Sequence, residues 1–263
     1  MTTYANREQS KQNLIDKGAK RKPKEERMVD GSLGEALVDA EVVGALARSG
    51  KAASLTALAP EADEIDAARG REYALLSALL ARAPDQSLLG RLADLSGDSS
   101  PLGIAHAALA QAAGQTSAAQ VEREYFDLFI GLGRGELLPY GSYYLSGFLH
   151  ERPLARLRAH LARLGIERAQ GQAEPEDHAA ILCEVMAGLA NGALPAAAGA
   201  DREVFEQHLA PWIGRFFADL ERAEAADFYR TVGALGRTLI EIETAAFALA
   251  KVADGALQKE QRR

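Results

Sequence analysis

The stretch EYFDLFIGLGRGELLPYGSYYLSGFLHERPLARLRAHLARLG, residues 124–165, leaves one helix, crosses a glycine-rich loop and enters a second helix. Leu128 and Phe129 close the first helix as apolar plugs. Gly131, Gly133 and Gly135 then recur at alternate positions and free the backbone for tight turns. Pro139, Tyr140, Ser142, Tyr143 and Tyr144 follow, and with Tyr125 they put four of the chain's seven tyrosines in this stretch. A loop so costly to order is expected to carry function.

On either side the apolar residues recur at helical spacing. Upstream, Ile65, Tyr73, Leu76, Leu79 and Leu80 line a helix that ends before Pro84. Leu88, Leu89, Leu92 and Leu95 mark the next, stopped by Gly97. Ser100-Pro101 reads as an N-cap followed by proline at the first helical position. Ser117 is placed to cap the helix of Val121, Tyr125, Leu128 and Phe129. Downstream, Leu154, Leu157, Leu161 and Leu164 predict a helix from Pro153 to Gly165, and residues 166–173 read as a polar linker. Glu174-Pro175 is expected to start another helix, with Glu176 and Asp177 in its first turn. Val204, Phe205 and Leu209, then Phe216, Phe217 and Leu220 after Pro211-Trp212, mark two more before a long closing helix over 228–249.

Strand signals are absent, alanine and leucine dominate, and β-branched residues are sparse. The expected fold is all-α: one globular domain of about ten helices. Residues 63–255 are assigned to it, with 256–263 as a tail. Residues 1–62 form a mostly disordered basic extension and linker, apart from a weak amphipathic pattern over 33–46.

Charge divides the chain the same way. Residues 1–29 carry net +4, with Lys20, Arg21, Lys22 and Lys24 clustered, whereas residues 61–263 carry net −9. An acidic body disfavours nucleic acid and suits a basic peptide. No run of 18 apolar residues calls for a membrane span, and the polar N-terminus has no signal-peptide pattern. The expected location is the cytoplasm. The lone Cys183 excludes an intrachain disulfide and a cysteine zinc site, and reads as a core thiol.

No catalytic constellation emerges. The five histidines lack HExxH spacing, and His150 and His160 read as surface residues. No nucleophile–base pair and no metal site is identified. GLGRG at 131–135 lacks the Gly-Lys-Ser/Thr ending and the preceding strand of a phosphate cradle, so a nucleotide-binding enzyme or switch at Gly131–Gly135 is the alternative reading.

Three ordered motifs resemble the TorD/DmsD family of redox-enzyme maturation chaperones. They are Glu124, Tyr125, Leu128, Phe129, Gly131 and Gly133; then Pro139, Tyr140, Ser142 and Tyr144; then Glu174, Pro175, Asp177 and His178. The stretch 208–235 resembles the family's closing helices, and the resemblance covers about residues 63–250. Tyr140 stands where many members have tryptophan. The resemblance implies a non-catalytic cytoplasmic chaperone. Its partners would be the twin-arginine signal peptide and the apo form of a molybdenum enzyme. It would aid cofactor insertion and prevent premature export, and the motif is closest to the formate dehydrogenase branch. No cofactor is implied beyond weak guanine-nucleotide binding, and the chain is a monomer or a domain-swapped dimer.

The expected peptide-binding residues are Glu124, Leu128, Phe129, Pro139, Tyr140, Ser142, Tyr144, Asp177 and His178. Gly131, Gly133, Glu174 and Pro175 are expected to shape the loop. Asp177 and Glu124 offer acceptors for guanidinium groups, the tyrosines stack on arginine, and Leu128 and Phe129 add apolar surface. Duller roles stay open: Tyr125 and Phe129 as core, Glu124 as a cap or loop tie, Asp177 as a helix-start charge. His178 either hydrogen-bonds the glycine loop and holds the two halves together, or meets the peptide and responds to pH near neutrality.

Overall fold

The computed structural model describes residues 27–29, 58–168 and 174–260, with side-chain surroundings from 64 to 167 and from 174 to 251. The basic cluster at 20–24, the amphipathic stretch 33–46 and most of the two proposed linkers lie outside the described residues. Ten α-helices account for about two thirds of the described residues, in agreement with the all-α expectation.

α1 spans Leu58–Ala81 and begins inside the stretch read as linker. Pro60 falls in its first turn, where a missing N–H leaves no hydrogen bond unmade. Tyr73, Leu76, Leu79 and Leu80 are buried as expected, but Ile65 is exposed. α2, Gln86–Ala93, is capped by Asp85, whose carboxylate accepts the Leu88 N–H at 2.7 Å. α3, Pro101–Gln115, is capped by Ser100 through Gly103 N–H. α4, Ala118–Tyr125, has Ser117 at its N-cap, but that hydroxyl binds Gln120 Oε1 instead of a backbone amide. α4 runs into a wide π-turn, Phe126–Ile130.

Beyond the glycine loop come α5, Gly141–Ser146, and α6, Arg152–Leu164, which ends on Gly165 in the left-handed region. Ile166–Arg168 then forms β2, paired in parallel with β1, Arg27–Val29. This small pair replaces part of the polar linker and three residues of the expected disordered tail. α7, Ala179–Ala190, is followed by α8, Ala200–Val204, with a second π-turn at Phe205–Leu209. α9, Ile213–Arg222, and α10, Phe228–Glu260, close the chain. α10 continues into the residues expected to be a tail.

α7 is apolar on nearly every side and is buried along most of its length, so it forms the axis of the fold. α1 lies along it, and α10 packs on α9 and α3. One core runs through all of these elements, with Trp212, Tyr73, Tyr229 and Phe216 its largest buried side chains. Cys183 sits within it, and burial pushes its thiol up to about 12. The Tyr125 hydroxyl donates to the carbonyls of Leu80 and Ala81 and Tyr229 to that of Leu79, so two tyrosines satisfy the open end of α1. Among the described residues no helix is long and apolar enough to cross a membrane.

Candidate functional site

Glu174-Pro175 does not start a helix. His178 is extended, and its two neighbours pair with 139–141: Gly141 N–H donates to Asp177 O at 2.9 Å, and Ala179 N–H to Pro139 O at 2.8 Å. Tyr140 and His178 face each other across this antiparallel bridge. The pairing keeps 177–178 out of α7, which begins at Ala179 with His178 as its N-cap. Asp177 therefore does not serve the first turn of its own helix. Its Oδ2 accepts the Ser142 N–H at 2.7 Å, at the start of α5 on the other half of the chain.

The bridge collects most of the expected site. Pro139, Ser142, Asp177 and His178 are buried, Tyr140 and Pro175 are half-buried, and Glu174 is exposed. The Tyr140 hydroxyl donates to Glu174 Oε2 at 2.5 Å, and its ring meets the His178 ring edge-on at 5.0 Å. Burial, with the Glu174 hydrogen bond, raises the Tyr140 hydroxyl well above its ordinary range. Asp177 is 3% exposed, yet its Oδ1 has no hydrogen-bond partner among the described residues, and neither has the Ser142 hydroxyl. Both residues line a cleft of about 240 Å³ with Tyr140, Leu149, His150, Glu174 and Pro175. Two carboxylates, one buried and one open, give this cleft an acidic character.

His178 does not respond near neutrality. Burial pushes its imidazole down from 6.5 to about 4, against the pull of Glu174 and Asp177. Its Nδ1 accepts the Ala180 N–H at 3.1 Å, so the neutral ring caps α7 and braces Tyr140. The expected hydrogen bond from His178 to the glycine loop is not among those of the described residues.

Three expected contacts sit elsewhere. Glu124 accepts the N–H groups of Asp227, Phe228 and Tyr229 at 2.8, 3.1 and 2.6 Å and caps α10. Leu128 is fully buried. Phe129 packs against Tyr125, Tyr229 and Phe216 with ring centroids 5.0, 5.5 and 6.5 Å away. These are core positions, and the helical i, i+4 spacing of Tyr125 and Phe129 accounts for them. Tyr144 lies between the two groups. Its ring packs on Trp212 and Phe216, its hydroxyl donates to Asp219 at 3.0 Å, and its carbonyl accepts from Arg215.

The glycine loop is folded onto itself. Gly131 has φ +60°, and a Cβ there would collide with the Arg134 carbonyl. The amides of Gly131, Glu136 and Leu137 donate to the carbonyls of Phe126, Asp127 and Leu128. These amides are spent inside the turn instead of facing a phosphate. Glu136 in turn accepts from Glu224 N–H and Ala225 N–H, which ties the loop to the α9–α10 turn. The tip carries Leu132, 98% exposed, and Arg134 lies over the Tyr143 ring at 5.6 Å. Leu145, Phe148 and Leu149 continue an exposed apolar surface beside the cleft. Their part was not visible in the sequence, because no periodicity marks them. His150, another cleft residue, takes the left-handed φ of +61° that few non-glycine residues adopt.

The family profile described as nitrate reductase delta subunit matches residues 96–218, a span that contains the loop, the bridge and Trp212. The chain is similar to the chaperone protein TorD of Vibrio cholerae serotype O1, 29% identical over 136 residues, which cover 48% of this chain and 62% of the relative. The chaperone protein TorD of Vibrio atlanticus is 24% identical over 135 residues, covering 48% and 63%. The match thus spans about three fifths of the length of these curated relatives. A solved chain from Archaeoglobus fulgidus, described as a candidate redox enzyme maturation protein, overlaps with a TM-score of 0.44 at 20% identity, covering 73% of this chain and 99% of that one. Over this span the chain is similar to the nitrate reductase delta subunit profile and to the TorD chaperones.

Proposed function

We propose that the chain is a non-catalytic cytoplasmic chaperone for an immature molybdenum oxidoreductase, and that the acidic cleft receives an arginine of the client's twin-arginine signal peptide. The unpartnered, buried Asp177 Oδ1 beside Glu174 carries this reading. A buried carboxylate oxygen without a donor is costly, and a planar guanidinium supplies paired donors at the matching geometry. The adjoining Leu145, Phe148 and Leu149 suit the apolar part of a signal peptide. Tyr140 and Tyr144 flank the bridge with apolar faces and polar tips. Formate dehydrogenase is the proposed client, from the likeness of the 128–155 stretch to that branch. Holding the signal peptide would keep the unfinished enzyme from export while its cofactor is inserted.

The test is a calorimetric titration of the full chain with a formate dehydrogenase signal peptide. The expected Kd is about micromolar, weakened roughly tenfold or more when both peptide arginines become lysine. The exposed Glu174→Gln and the buried Asp177→Asn are each expected to weaken binding, with the fold of each variant checked by circular dichroism. Undiminished binding by two folded variants would move the site away from this cleft. Absence of binding to several such peptides would remove the signal-peptide role.

A further inference from the structure

On the other side of Asp177 lies a larger cleft, about 740 Å³, between α6 and the turn at residues 207–211. Its charge is opposite to that of the arginine cleft. Arg152, Arg156 and Arg163 recur along one face of α6 and line it. None of the three is in an ion pair with a described residue, whereas Arg158, on a different face, is held by Glu176 at 2.8 Å. His160 and His208 also line the cleft, with His160 Nδ1 and His208 Nε2 2.9 Å apart. His160 was expected at the surface but is 3% exposed, because it lies on the buried face of α6 with Leu157 and Leu161. The positive charge of Arg156 and Arg163 reaches His208: after burial and His160, those two arginines help push its imidazole down to about 4.

Negative groups are few and lie around this positive end. Glu151 lines the cleft at the start of α6, Asp177 lines it with Oδ2 already engaged, and Glu203 stands 3.5 Å from His160 Nε2 at an exposed position. In a body carrying net −9, unpaired arginines gathered over a concave surface need an anionic counterpart. We propose that this cleft binds a phosphate-bearing small molecule, held by Arg156 and Arg163 above the His160–His208 pair. Guanidinium forks match phosphate oxygens bidentately. The volume lies within the range of about 300–1,000 Å³ typical of small-molecule pockets, which favours such a ligand over an acidic polypeptide. The glycine loop, whose amides are turned inward, is not needed for this site.

The experiment uses the full chain with pyrophosphate as the probe and a hexaglutamate peptide beside it. Each is titrated by calorimetry at low and at physiological salt. Saturable pyrophosphate binding is expected, weakening as salt rises. The double substitution Arg156→Gln with Arg163→Gln is expected to weaken it roughly tenfold or more, and Arg158→Gln to leave it within about twofold. All three side chains are exposed, so the variants are expected to fold, and their thermal midpoints check that. Signal-peptide binding, measured in parallel, is expected to survive the double substitution. Failure of pyrophosphate to saturate, equal binding by the double variant, or binding of hexaglutamate alone would overturn the proposal.

Discussion

Glu124 and Asp177 show how one residue type takes two fates. Each is an acidic residue in a motif that resembles the TorD/DmsD chaperones, and each was expected to meet arginine. Glu124 has three amide donors at the start of α10, where a carboxylate also suits the helix dipole. Burial still raises its pKa against those bonds. Glu124→Ala is expected to cost about 1–2 kcal/mol in urea denaturation, by loss of the cap, with signal-peptide affinity unchanged. A loss of peptide affinity at unchanged stability would return Glu124 to the binding surface. Asp177 differs because one oxygen is held and the other is not. For Asp177→Asn the expected order is reversed: a large loss of affinity and a smaller loss of stability, since Asn keeps an acceptor for Ser142 N–H.

At the scale of elements, the helices were largely legible and their ends were not. Apolar spacing placed α1 through α4, α6, α9 and α10, because each buries one stripe. α7 was misplaced at its start: a proline preceded by a glutamate looks like a helix opening, and only the pairing of its end with residues 139–141 keeps that segment out of the helix. The approach of α9 to α10 is another tertiary matter. A Cβ at Gly236 would overlap the Phe217 ring, so the two helices meet through the missing side chain. Gly236→Ala is expected to destabilise the fold by about 1–3 kcal/mol through overpacking, read as a lower denaturation midpoint. Gly214→Ala, where a Cβ would meet nothing, is the control and is expected to have no comparable effect.

Across the whole molecule, buried charge links distant parts of the chain. Arg69 on α1 binds Glu243 on α10 at 2.8 Å, Asp201 on α8 at 2.9 Å and Asp66 at 2.7 Å, and the Tyr73 hydroxyl donates to the same Glu243. Glu243→Gln removes the central charge and is expected to cost about 3–5 kcal/mol, because Arg69 keeps its burial and loses its main counter-ion. Guanidinium denaturation of both variants, Glu243→Gln and the exposed neighbour Glu241→Gln, checks this; the neighbour is expected to change little. The histidines set a pH window for the same fold. His178 and His208 are held neutral, with values pushed from 6.5 to about 4. Between those values the unfolded chain takes up protons that the folded chain refuses. Stability is therefore full above about pH 6.5, falls as pH drops toward 4, and loses on the order of 3 kcal/mol through His178 alone. Denaturation midpoints measured from pH 7 to pH 4 would show the decline, and a flat profile would contradict it.

The fold class, the order and faces of most helices, and the motifs that resemble the TorD/DmsD chaperones were legible in the amino-acid sequence. Those properties rest on local periodicity and on residues near one another in the chain. Only the tertiary structure decided which motif residues share a surface. It separated Glu124, Leu128 and Phe129 from the cleft, joined Ser142 to Asp177, and set His160 against His208. Such pairings depend on contacts between residues far apart in sequence, which leave no periodic signal in either partner. The acidic cleft and the arginine-lined cleft beside it exist because α7 carries the 174–178 segment against the 139–142 turn, with α6 packed alongside.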